Sequence, residues 1–214
     1  MNATRWIPLS GIAAVILIVA GAGAAGSTPR EDAPVSKLVA FYTAHDTGQV
    51  ASGVLTSLGA LFFLIFSAAF VDALRRAAHA DSQVWAVLCF GGSVVFVAGL
   101  TIAAGISVFI GNVAGDLDPP ALQALHEASL TVIFPWTIGA SAFLLGAGAG
   151  VLQSEPLPRW LGWTAVVLGV VAAIPSHVLG GVLDHIGVVP VAGLGVWTLI
   201  VSVVLARRDE PAKT

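Results

Sequence analysis

The chain has 214 residues, 57% of them hydrophobic and only 10% charged, where soluble domains carry about 25% charged residues. That composition excludes a cytosolic enzyme. With nine Lys+Arg it also excludes a nucleic-acid binder of the basic-patch kind, and a net charge of −3 is too small to name an acidic or basic partner. The mean hydropathy of +0.94 points instead to a protein dissolved in lipid. Cys89 is the single cysteine, so neither an internal disulfide nor a cysteine metal site is available.

A hydrocarbon core takes about 20 mostly apolar residues to cross. In chain order the sequence offers six such stretches, 7–25, 49–71, 84–110, 128–152, 160–179 and 188–206, with no Lys, Arg, Asp or Glu inside any of them. Runs such as Leu61-Phe62-Phe63-Leu64-Ile65-Phe66 are apolar on every side. They lack the strict alternation of a barrel strand, so helices are expected. The first span has a competing reading: Arg5, an apolar run and Ala22-Gly23-Ala24 have the layout of a secretory signal, whose removal would leave five spans. Its length favours a retained span.

Between the first two spans, Ala33-Pro34 followed by Leu38, Phe41 and Tyr42 at helical spacing predicts a short surface helix, with a turn near Thr47-Gly48. Between the third and fourth, Asp118-Pro119 has the form of an N-cap and first helical residue. A helix beginning there and running on to Leu152 would exceed the bilayer core, with Pro135 as a place for a kink.

When six spans alternate, Arg5, Arg75, Arg76, Arg159, Arg207, Arg208 and Lys213 fall on one side, Arg30 and Lys37 on the other. The positive-inside rule then puts both termini in the cytoplasm. Trp6, Trp85, Trp160 and Trp163 sit at the cytoplasmic ends of their spans, where interfacial anchors belong.

Candidate chemistry gathers on the other side. His45, His126, His177 and His185 lie at or beyond the outer span ends, three beside an acid (His45-Asp46, His126-Glu127, Asp184-His185). Were those ends to converge, imidazoles and carboxylates would offer a divalent metal site, and His126 with His177 an axial pair for haem. Against this, no His-x-x-x-His pair sets two ligands on one helical face, and adjacent helical residues point about 100° apart. Histidines also avoid hydrocarbon for reasons unrelated to function. Interfacial residues facing water are therefore the expectation, with these four as metal candidates and no cofactor required.

Deep in the spans the polar groups are hydroxyls such as Ser67, Ser93, Thr101, Ser141, Thr164, Thr198 and Ser202. These normally bond to their own or a neighbouring helix, which disfavours an ion-driven carrier. No Gly-x-Ser-x-Gly elbow is present. The glycine pairs Gly111-x-x-x-Gly115 and Gly146-x-x-x-Gly150 suit close helix contacts, within the chain or in a homo- or hetero-oligomer.

Three segments carry a resemblance: Ala40-Phe41-Tyr42-Thr43-Ala44-His45, Asp72-Ala73-Leu74-Arg75-Arg76 and Leu157-Pro158-Arg159-Trp160-Leu161-Gly162-Trp163. Together the chain resembles a group of uncharacterised multi-pass membrane proteins from actinobacteria. The resemblance implies a plasma-membrane location and carries no catalytic residues with it. The sequence thus predicts an all-α, six-span helical bundle in a bacterial plasma membrane, with a short outer helix and a non-enzymatic accessory or structural role. An outer-face metal or haem protein and a small-solute permease are the alternatives.

Overall fold

The computed structural model describes residues 6–29, 33–77, 83–131, 133–174 and 188–208. Among these every regular element is helical. After a short 3₁₀ turn at Ile7–Leu9 come α1 (Ser10–Ala25), α2 (Val35–Ala44), α3 (Asp46–Ala77), α4 (Gln83–Val113), α5 (Pro119–Thr131), α6 (Ile133–Ser154), α7 (Arg159–Ala172) and α8 (Val188–Arg208).

Five described helices are long and apolar enough to cross a membrane: Ile7–Ala25, Asp46–Ala77, Gln83–Val113, Pro135–Ser154 and Val189–Arg208. The expected span 160–179 is represented by α7, whose 14 residues reach about 21 Å at 1.5 Å per residue, short of a hydrocarbon core of about 30 Å. Residues 175–187 of that region lie outside the described ones.

One sequence expectation is corrected. The chain does not turn at Thr47-Gly48: α2 ends at Ala44, His45 alone forms the joint, and both residues belong to the first turn of α3. Of the helix expected from Pro119 to Leu152, α5 covers Pro119–Thr131 and α6 covers Ile133–Ser154, and residue 132 between them lies outside the described residues. The expected start of the fourth span at residue 128 falls within α5.

The long helices pack antiparallel in sequence: α1 on α3, α3 on α4, α4 on α6 and α6 on α7, with α8 against both α7 and α1. The tightest seam joins α4 to α6 backbone to backbone. A Cβ on Gly92 or Gly139 would strike the backbone nitrogen of Phe143 or Phe96 respectively, and one on Gly99 would lie 2.8 Å from the nitrogen of Trp136. Gly146 meets Cys89 in the same way. These glycines recur every seven residues on each helix, two turns apart, so the contact stays in register along the pair. Gly111 instead faces Gln49 on α3, and Gly150 faces Leu74.

Where α3, α4, α6 and α8 meet, the space is filled by rings. Phe63, Phe66, Phe70, Phe143 and Trp197 are all buried; Phe63 lies 5.2 Å from Phe143 and 5.0 Å from Phe96, and Phe70 5.4 Å from Trp197. The Trp197 indole donates to the Leu161 carbonyl at 3.0 Å, tying α8 to α7, and Ser141 donates to the Gly169 carbonyl at 2.8 Å, tying α6 to α7. Thr101, Thr164 and Ser202 bond back to their own helices, while the buried Ser67 and Thr198 hydroxyls have no partner. Large apolar side chains such as Ile16, Val19, Val87, Ile102, Val167 and Val196 stand exposed on the helices. An apolar outer surface around a close-packed interior is what lipid as solvent permits.

Candidate functional site

At the end of the molecule where α3 begins, α2 and α5 pack on each other and on the end of α4. Leu38 and Tyr42, one turn apart on α2, and Leu122 and His126, one turn apart on α5, turn inward. With Ile110 and Ala114, the two leucines and Tyr42 form a small core separate from the main one.

His126 is 0% exposed and Tyr42 3%. The Tyr42 hydroxyl lies 3.0 Å from His126 Nδ1. The Ser129 hydroxyl donates to the His126 carbonyl at 2.7 Å, and its oxygen also contacts Tyr42. The direction of the Tyr42–His126 bond depends on the imidazole tautomer, and His126 Nε2 is buried without a partner. A buried polar atom without a partner costs about 1–3 kcal/mol, a cost that His126 Nε2 bears here. Burial holds the Tyr42 hydroxyl above its ordinary pKa of 10.0, while the Ser129 contact pulls it down less strongly.

His45 sits at the α2–α3 joint and is exposed. Its Nδ1–H donates to the Phe41 carbonyl at 2.9 Å and its ring stacks on Phe41 at 4.6 Å. Beneath it lies Gly26, whose φ of 74° belongs to the left-handed region that glycine tolerates; a Cβ there would stand 3.3 Å from the His45 ring. Gln49, buried in the first turn of α3, donates to the Ala25 carbonyl at 3.0 Å and so caps the end of α1.

Of the four metal candidates, then, His126 is buried in a hydrogen-bonded chain and His45 is a surface joint residue, while His177 and His185 lie outside the described residues. Among the described residues no three His, Cys, Asp or Glu side chains come together as a metal would need. Glu127 points away from His126 into an exposed position beside Gln123, as the 100° helical step requires. Tyr42 and Ser129 are the site residues that sequence reasoning missed. Tyr42 is the chain's single tyrosine, and its spacing from Leu38 marked an inward face, but nothing linked it to a histidine 84 residues away.

At the opposite end, Arg76 on α3 pairs with Asp72 one turn earlier, Arg159 pairs with Glu155 at 3.5 Å, and Arg208 at the end of α8 donates to the Pro156 carbonyl. No protein-family model, curated protein or solved structure matches the chain.

Proposed function

We propose that the chain is an integral protein of a bacterial plasma membrane, with six helices forming a bundle, both termini in the cytoplasm and the α2/α5 cap outside. Its role in this reading is accessory or structural and non-enzymatic. The observation that carries it is the filled interior: rings from α3, α4, α6 and α8 occupy the space a permeation path would use. Such a core favours a rigid scaffold over a permease. The orientation is supported by the gathering of Arg76, Arg208 and Arg159 at one end, as the positive-inside rule requires of a cytoplasmic face.

A second reading is favoured by the partnerless His126 Nε2: binding of a metal or other electron-pair acceptor at the outer face. Metal analysis and an absorption spectrum of the detergent-purified chain separate the two. The accessory reading predicts a colourless protein without stoichiometric metal, and vesicles containing it that pass no small neutral solutes above the protein-free rate. Stoichiometric metal or a haem band lost in His126→Ala would replace it with the second reading. Solute flux would replace it with a permease.

A further inference from the structure

The arginine end holds a cleft of about 640 Å³ that the preceding reading leaves without a role. One wall is a single face of α3, from Ile65 through Ala69 and Ala73 to Arg76; Ile7-Pro8 at the start of the chain and Leu205 and Arg208 on α8 close it. From Ile65 to Arg76 the wall runs about 16 Å along the helix axis. On α3 the wall is built largely of small side chains, Ala68, Ala69, Ala73 and Ala77, and the charged residues of the described lining are Asp72, Arg76 and Arg208 near the helix ends.

Those charges do not cancel. Asp72 pairs with Arg76. Arg208, by contrast, donates to the neutral carbonyl of Pro156, and among the described residues it has no carboxylate partner. Among the described residues, two guanidiniums and one carboxylate line the mouth, an excess of one positive charge. Trp6, next to the Ile7-Pro8 wall, is 59% exposed, as an aromatic anchor at the headgroup level is.

A soluble anion would use the arginines and ignore the apolar wall, and an apolar helix would use the wall and leave the arginines unpaired. A molecule with one anionic head and an acyl chain uses both. We infer that this cleft binds one anionic phospholipid of the surrounding bilayer, its phosphate between Arg76 and Arg208 and part of an acyl chain along Ala69 and Ala73. Guanidinium forks suit phosphate oxygens, and basic pockets between helix ends recognise anionic headgroups on the cytoplasmic side of membranes.

The inference rests on the membrane reading, and the test keeps the two apart. Membranes containing the full chain are first washed with alkaline carbonate; release of the wild type would defeat the membrane reading itself. The retained protein is then purified in neutral detergent with phosphatidylglycerol or phosphatidylcholine, and bound lipid is counted by native mass spectrometry. The expected result is one phosphatidylglycerol held roughly tenfold or more in preference to phosphatidylcholine. Arg76→Ala with Arg208→Ala erases that preference, and Ala69→Leu, which fills the cleft and keeps the charges, lowers occupancy by both lipids. Arg75→Ala with Arg207→Ala removes the same charge outside the cleft and leaves binding intact. Equal retention of the two lipids by the wild type would overturn the inference. So would an Arg75/Arg207 loss as large as the Arg76/Arg208 loss, or undiminished lipid binding in Ala69→Leu. Displacement of the lipid by inorganic phosphate alone would instead assign the cleft to a free anion. A thermal melt of each variant confirms that it folds, and Ala69→Leu keeps the test open should the arginine variant fail to.

Discussion

The two ends of α3, about 45 Å apart over its 32 residues, handle polar groups in opposite ways. At the Asp46 end the polar side chains Tyr42, His126 and Gln49 are buried and bonded to one another or to a helix terminus. At the Ala77 end the charges stand exposed around an apolar hollow. A short helix makes the difference. Where α2 lies over the ends of α4 and α5, it removes polar groups from water and they must find partners inside. Where no described helix covers the ends, arginines keep their charge in water and spread apolar stems over the surface.

The seam common to both ends gives the largest effect. Gly139→Val forces two methyl groups into the backbone of α4 and should cost about 1–3 kcal/mol or more, seen as a lowered melting temperature of the whole protein in detergent. A loss confined to one end would show that the ends fold independently. Next comes His126→Ala, which empties a buried site and strips Tyr42 of its ring partner. It should cost about 1–3 kcal/mol, concentrated at the cap, so limited proteolysis should quicken within α2 and α5 and leave α3, α4 and α6 to α8 resistant.

Alkaline titration sharpens the contrast further. Tyr42 is the single tyrosine, so the tyrosinate absorbance band reports it alone. Because burial raises its pKa, the folded protein should titrate above 10.0 and the denatured chain near it. Folding favours the protonated hydroxyl; the stability it brings is complete below the unfolded pKa and is lost as pH rises through the folded one. Tyr42→Phe should remove that alkaline loss. At the other end the smallest effect is expected: Asp72→Asn breaks an exposed i,i+4 pair and should change stability by about 0.5 kcal/mol or less.

Membrane-length helices were legible because lipid selects composition over long windows, and α2 and the start of α5 were legible from Pro34 and Asp118-Pro119. The α4–α6 seam was hidden because its glycines repeat at seven residues, while the four-residue pairs that attract the eye, Gly111/Gly115 and Gly146/Gly150, face different neighbours along their length. Histidine placement pointed to the right end of the molecule for His126, but its partner is a tyrosine brought in by tertiary packing. The arginines were visible as a topology signal; that Arg76 and Arg208 border one hollow depends on how α3 and α8 pack.

The central claim is that these two ends face opposite sides of a membrane, cap outward and arginines inward. Cys89 is buried and is the chain's one cysteine, so Cys89→Ala provides a blank background for single cysteines at the exposed Ser36 on α2 and Gln153 near the arginine end. A membrane-impermeant maleimide applied to intact cells should label Ser36→Cys at once and Gln153→Cys only after the membrane is permeabilised. Labelling of Gln153→Cys alone, or of both in intact cells, would contradict the account.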